Sequence, residues 1–133
     1  MADPGFVAAE LNADADFQAG RIGALSLHTA SPGTTGANET AGGAPAYARQ
    51  PITWAAAGAV GPLGATAQPA TPGRAWSSEA SFDVKAGAYT YAGCWSAVAG
   101  TYRGGFALAA SQGNPNAQST VKVSMHVDAA NLP

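Results

Sequence analysis

Residues Ser119–Asp128 read Ser-Thr-Val-Lys-Val-Ser-Met-His-Val-Asp, with Val121, Val123, Met125 and Val127 at every second place and Thr120, Lys122, Ser124, His126 and Asp128 between them. A period of two is the mark of a strand with one buried and one wet face, and no helix puts those four apolar side chains on one side. The same period recurs upstream. Ala80, Phe82 and Val84 alternate with Ser81, Asp83 and Lys85, and after the turn at Gly87 come Tyr89, Tyr91 and Trp95 opposite Thr90, Ala92 and Cys94. Two patterned segments this close predict a hairpin.

Tyr102, Phe106 and Leu108 continue the series in phase, interrupted by Gly104 and Gly105, which predict a bulge or bare backbone covered by a large side chain, Trp95 being the candidate. "RIGALSLH", Arg21–His28, is a short apolar run and reads as a buried strand. "YARQPITW", Tyr47–Trp54, is a further candidate, but Pro51 lacks the N–H of a central ladder and assigns it to an edge or a bulge. Gly58–Trp76, with Pro62, Pro69 and Pro72, reads as connection. The fold class expected is all-β: an antiparallel β-sandwich or small barrel with a short N-terminal helix or arm. Residues 1–20 form the arm or helix and 21–133 a single β-sandwich domain.

At the N-terminus, Asp3-Pro4 suits a helix start, with Glu10 in an early turn. Phe6, Val7, Leu11 and Phe17 offer one apolar stripe, either for packing on the chain's own domain or for reaching a neighbouring subunit. Asn12, Asp14 and Asp16 weaken the helix and keep the second option open.

Charged residues are 11% of the chain, where about a quarter is usual. A surface so poor in charge is easily covered by other protein, because few ion solvation shells must be stripped. The formal net charge is −2 and the six Lys and Arg residues are scattered singly, which argues against a nucleic-acid partner. No run approaches the roughly 20 apolar residues of a membrane span, and the start of the chain has acidic residues where a signal peptide needs basic ones. Synthesis in the cytoplasm follows as the expectation.

The chemistry-bearing residues do not assemble into a known constellation. His28 ends a strand and reads as locally hydrogen-bonded, and His126 reads as a solvated strand residue; neither has metal-ligand spacing with a second His or Cys. Ser26 and Ser96 lack a nucleophile-elbow context, and Gly-Thr-Thr-Gly at 33–36 is not followed by the Gly-Lys of a phosphate loop. Asp14 and Asp16 lack the remaining ligands of a calcium loop. Cys94 reads as a small buried hydrophobe. No catalytic residue, metal or cofactor is expected. The aromatics Tyr89, Tyr91, Trp95, Tyr102 and Phe106 serve as core, as a platform for glycan or as a subunit contact.

Between the first two strand candidates lies a long loop with almost no apolar side chain larger than Ala. The block "SLHTASPGTTGANETAGGAPAYARQPITW" resembles a family of small bacteriophage virion proteins in Leu27, His28, Thr29, Ala30, Pro32, Gly33, Gly36, Ala37, Asn38, Glu39, Gly42, Gly43, Tyr47, Ala48, Arg49 and Trp54. A second block, "FDVKAGAYTYAGCWSAVAGTYRGGFAL", is similar to the family in Phe82, Ala86, Gly87, Gly93, Trp95, Ser96, Gly100 and Arg103–Gly105. The resemblance implies a non-enzymatic virion structural protein. The function expected is a capsid decoration, or minor capsid, protein on the outer surface of the head, with the major capsid protein and copies of itself as partners. The alternatives are a tail or tail-fibre component and a glycan- or receptor-binding module. Candidate assembly contacts are Phe6, Val7, Leu11, Phe17, Asn38, Glu39, Tyr47 and Arg49. Within the loop, Asn38 and Glu39 are the polar anchors, available to cap backbone or to meet a partner.

Overall fold

The structure, a computed structural model, describes residues 7–59 and 71–129. Phe6, the Asp3-Pro4 helix start, Pro62 and Pro69 lie outside the described residues. The elements in chain order are α1 (Ala8–Ala19), β1 (Ala24–His28), β2 (Gln50–Pro51), β3 (Arg74–Trp76), β4 (Ala80–Val84), β5 (Tyr89–Trp95), β6 (Tyr102–Gln112), β7 (Ser119–Val123) and β8 (His126–Asp128). The chain is mostly β; among the described residues every strand pairing is antiparallel and the sheets are not closed into a barrel. They form two compact units: residues 22–52 with 80–123, and residues 1–21 with 53–79 and 124–133.

The larger unit holds a four-stranded sheet in the order β2-β1-β5-β6 and a two-stranded ribbon of β4 and β7. β2 lies at the edge, where Pro51 was expected to place it, pairing Ala24 with Pro51 and Leu25 with Gln50. All five residues of β1 are buried, so both of its faces are covered. Its partners on β5 are Leu25↔Cys94 and Leu27↔Ala92, alternating with Ser26↔Gly93 and His28↔Tyr91. Directly opposite residues share a face of the sheet. One face therefore carries Leu25, Leu27, Ala92 and Cys94, and the other carries Ser26, His28, Tyr91, Gly93 and Trp95. In the ribbon, Ala80, Phe82 and Val84 are buried opposite Val123, Val121 and Ser119, while Ser81 and Asp83 stay exposed, as the alternation predicts.

Three strand expectations need correction. The hairpin of residues 80–84 with 89–95 does not form: β4 pairs with β7, and β5 with β1 and β6. The turn between β4 and β5 is tied to a distant segment by the Gly87 N–H, which donates to the Asn114 carbonyl, and is closed locally by the Tyr89 hydroxyl, which donates to the Lys85 carbonyl. In β6, Tyr102 opposes Trp95 but Gly104 opposes Cys94, so Arg103 is an extra residue that resets the alternation. Tyr102 thus shares a face with Trp95, and Phe106, opposite Ala92, lies on the other. The residues over Gly105 are Pro32 and Tyr102, not Trp95. Finally, the segment 119–128 is two strands. At Met125 its ladder partner changes: the Ser77 N–H donates to the Met125 carbonyl at 2.8 Å and the Met125 N–H to Ser77 Oγ at 2.9 Å.

The smaller unit joins α1 to the β3–β8 ladder, Arg74↔Asp128, Ala75↔Val127 and Trp76↔His126. β3 falls inside the stretch expected to be connection. Ala15 and Ala19 of the helix are buried with Ala75 and Ala129, and Leu11, Trp54, Ala57 and Val127 pack around them. Because alanines make this contact, the backbones approach closely and the helix shows little apolar periodicity in its sequence. The expected single stripe does not exist: Leu11 joins the core, whereas Val7 and Phe17 are 65% and 64% exposed. Asn12 and Asp16, which weaken a helix intrinsically, secure this one, as Asn12 Oδ1 accepts the Gly73 N–H at 2.7 Å and Asp16 Oδ1 the Ala57 N–H at 2.8 Å.

Candidate functional site: a polar cluster beneath the 29–49 loop

β1 presents Ser26 and His28 on one face because strand residues two apart point the same way. The residue opposite Ser26 is Gly93, and the missing side chain leaves the space that Ser26 Oγ and His28 Nε2 fill. Trp95 Nε1–H donates to Ser26 Oγ at 2.8 Å, Ser26 Oγ lies 2.7 Å from His28 Nε2, and His28 Nδ1 lies 2.7 Å from the Ala37 carbonyl oxygen. A carbonyl only accepts, so Nδ1 carries the proton; Nε2 of the neutral ring is then an acceptor, and the Ser26 O–H donates to it. The result is a one-directional chain from the Trp95 indole through Ser26 and His28 to the loop backbone.

The loop is fastened over this chain at several points. The Thr29 N–H donates to the Asn38 carbonyl and the Thr40 N–H to that of Leu27, so Glu39 forms a bridge opposite His28. Arg49 donates to both carboxylate oxygens of Glu39, each at 2.9 Å, and Nη1 to the Val98 carbonyl at 3.0 Å. The Tyr47 hydroxyl donates to Glu39 at 2.8 Å while accepting the Leu27 N–H at 3.1 Å. The Arg49 guanidinium lies 3.3 Å from the Trp95 ring centre, and the Tyr102 ring meets the same indole edge-on with ring centres 5.2 Å apart. Gly36, at φ +79°, passes so close that a methyl there would meet Trp95 at 3.1 Å and Tyr102 at 3.2 Å. Asn38 holds φ +63° and its amide donates to the Ser31 carbonyl. At the far end, the Gln118 side chain accepts the Ala44 N–H and donates to the Pro45 carbonyl.

Electrostatics follow from this enclosure. Burial lowers the His28 pKa; the Ala37 carbonyl and Glu39 pull it upward without overcoming that, and Arg49 adds to the lowering. Burial by itself would raise the Glu39 carboxyl, but the hydrogen bonds from Arg49 and Tyr47 outweigh it and hold the group below its ordinary value. Burial, aided by the bond to Glu39, pushes the Tyr47 hydroxyl far up, and the bond to Glu39 raises Arg49. Burial pushes the Cys94 thiol up to about 11, in keeping with an unreactive buried residue.

The Ser26–His28 distance is that of a nucleophile and its base, with the Ala37 carbonyl orienting the imidazole. Both side chains are fully buried under Trp95 and the loop, however, and their hydrogen bonds are spent in holding the loop to the sheet. Of the residues singled out in the sequence, Glu39, Tyr47 and Arg49 converge here, and Asn38 braces the loop beside them. Leu11 and Phe17 of α1, and Val7 at its N-cap, belong to the other unit. Sequence reasoning missed Ser26 and Trp95 as members of the network and took His28 as a local strand-end contact. The signal was two polar side chains in phase on an otherwise apolar strand.

The smaller unit carries a second cluster. Arg74 donates to both carboxylate oxygens of Asp128, at 2.6 and 2.8 Å, and His126 lies 3.4 Å from the same carboxylate and 4.5 Å, ring to ring, from Trp76. The bond from Arg74 holds the Asp128 carboxyl below its ordinary value despite its burial. Asp128, expected on a wet face, is drawn inward by this pair. Among the described residues, no group of three or more His, Cys, Asp and Glu is placed to hold a metal ion, and no helix is long and apolar enough to cross a membrane. Comparison with protein-family models, curated proteins and solved structures finds no match to this chain.

Proposed function

We propose that the chain is a bacteriophage virion structural protein without enzymatic activity, a decoration subunit that binds the outer surface of the head and stabilises it. The observation that carries the reading is the convergence of the two blocks resembling the virion family. They are separated in sequence, yet His28 of the first lies over Gly93 of the second, and Gly36 and Arg49 of the first lie against its Trp95. Residues that match a family pattern and are consumed in internal fastening support a role in which a rigid surface, not a reacting group, is the product of the fold. The low charge of the chain supports contact with other protein, namely the major capsid protein and further copies of itself, in preference to nucleic acid or membrane.

In this reading the larger unit is a β-sandwich. The face with Leu25, Leu27, Ala92 and Cys94 and the inward face of the β4–β7 ribbon are the two apolar layers, and the stacking of Tyr47 on Phe82, ring centres 6.0 Å apart, supports their apposition. The exposed Val7 and Phe17 of α1 are the contacts suited to a capsid partner. A glycan platform built on Tyr89 finds no support, since that ring is 1% exposed. Cryo-electron microscopy of labelled particles tests the proposal: density over the whole head supports it, and label confined to the tail rejects it in favour of a tail component. Phe17→Ser should weaken particle binding without unfolding the protein.

A further inference from the structure

The segment from Thr29 to Arg49 is held to the sheet by a buried histidine whose two nitrogens face partners of opposite demand. Nδ1 is committed as a donor to the Ala37 carbonyl, and Nε2 is committed as an acceptor to Ser26, whose oxygen already receives the Trp95 N–H. We propose that His28 is an acid-sensitive latch: uptake of one solvent proton at Nε2 takes the acceptor from the Ser26 hydroxyl, leaves a buried cation under the loop and releases the 29–49 segment from β1. The inference stands apart from the virion reading and does not depend on it.

Proton balance explains the release. With Nε2 protonated, both ring nitrogens donate and Ser26 Oγ receives two N–H groups. Its own hydrogen loses the acceptor it had, in a site with no water-exposed surface. The groups facing the imidazole do not rescue the charge. The Ala37 carbonyl and Glu39 favour it without overcoming burial, and both oxygens of that carboxylate are engaged by Arg49, one of them by Tyr47 as well. Arg49 itself repels it, and the residue opposite His28 across the ladder is Tyr91, not a carboxylate. Burial therefore prevails, and the folded site binds the proton less readily than the unfolded chain does. The sign is that of a depressed group: stability is complete above the ordinary imidazole value of 6.5 and falls as the pH drops from there towards the lower folded value. The carboxylate of Glu39 contributes its own loss only from 4.5 downward, so the two losses begin at different pH.

Amide hydrogen exchange on the full chain, read at Thr29 and Thr40, tests this, because those two N–H groups bridge the loop and β1. After correction for the intrinsic rate, their protection should fall by about tenfold per pH unit below the onset, one proton being taken up per opening. The Gly73 and Ala129 amides should keep theirs over the same range. His28→Gln should abolish the dependence between 6.5 and 4.5, and Glu39→Gln should leave it in place. The His28 C2–H resonance in the wild-type protein, assigned against His126→Gln, should titrate with a midpoint below 6.5, at the pH where the fall in protection levels off. A His28 resonance that titrates at or above 6.5, protection that does not change above 4.5, or an unchanged pH dependence in His28→Gln would overturn the latch.

Discussion

Gly93 is the position at which one methyl group should do most damage. A Cβ built there meets Ser26 Oγ at less than contact distance, His28 Nε2 at 2.7 Å and Trp95 Nε1 at 3.3 Å. Gly93 is buried in the middle of β5, paired on both sides, so the backbone cannot move away without disturbing β1 and β6 together. Overpacking of a core by one methyl typically costs about 1–3 kcal/mol. Displacing Ser26 also breaks a buried hydrogen-bond chain, for about 1 kcal/mol more. Gly93→Ala should therefore destabilise by roughly 2–4 kcal/mol, a large part of the ~5–15 kcal/mol available to a domain of this size. Urea unfolding followed by tryptophan fluorescence measures it. The reasoning further requires that Ser26→Ala, which removes the nearest obstructing atom, make Gly93→Ala less costly. A double-mutant cycle should return a coupling of about 1–2 kcal/mol. A Gly93→Ala protein within about 0.5 kcal/mol of wild type, or strictly additive single substitutions, would refute the account of the cluster.

Two other substitutions probe the charged fastenings. Arg49→Lys keeps the charge but loses the two-pronged hold on Glu39 and the flat contact with Trp95, and should cost about 1–2 kcal/mol with a shift in Trp95 emission, measured by thermal unfolding and fluorescence; an unchanged melting temperature would show that the planar fork is dispensable. For Asp128→Asn the sign is set by the depressed carboxyl of Asp128: its contribution is complete above 3.8 and is lost as the pH falls through the lower folded value. The stability gap between wild type and variant should thus be about 1 kcal/mol at neutral pH and close on acidification; a gap that persists at pH 2 would contradict the Arg74–Asp128 assignment.

What could be read along the chain were the local features. The burial of β1, the edge position forced by Pro51 and the alternation of Ala80, Phe82 and Val84 depend on residues a few places apart. Strand partnership does not: nothing near Val84 says that its neighbour is Ser119 and not a residue just past Gly87, because that choice is made by apolar faces brought together from distant segments. A single extra residue, Arg103, then inverted the expected face of Phe106. The site was half legible. Glu39 stood out as a polar anchor, but its acceptance of Arg49 and Tyr47 depends on a loop path set by Gly36 and Asn38. Ser26, His28 and Trp95 look like ordinary strand residues until Gly93 is seen to leave the gap in which they meet.

The division of the chain between its two units bears on the order of folding. The larger unit uses nothing beyond Val123, whereas the small alanine core of the other needs Ala129 against Ala15 and Ala19. At a synthesis rate of roughly 5–20 residues per second, helix α1 waits on the order of 5–20 s for the strand that completes its packing. Through that interval the helix is too short to persist alone in water, with Val7 and Phe17 uncovered in either state. Because Val123 precedes Ala129 by six residues, the larger unit can close roughly 0.3–1 s before the alanine core is complete, and only for that time is it expected to be formed while α1 is still unpacked.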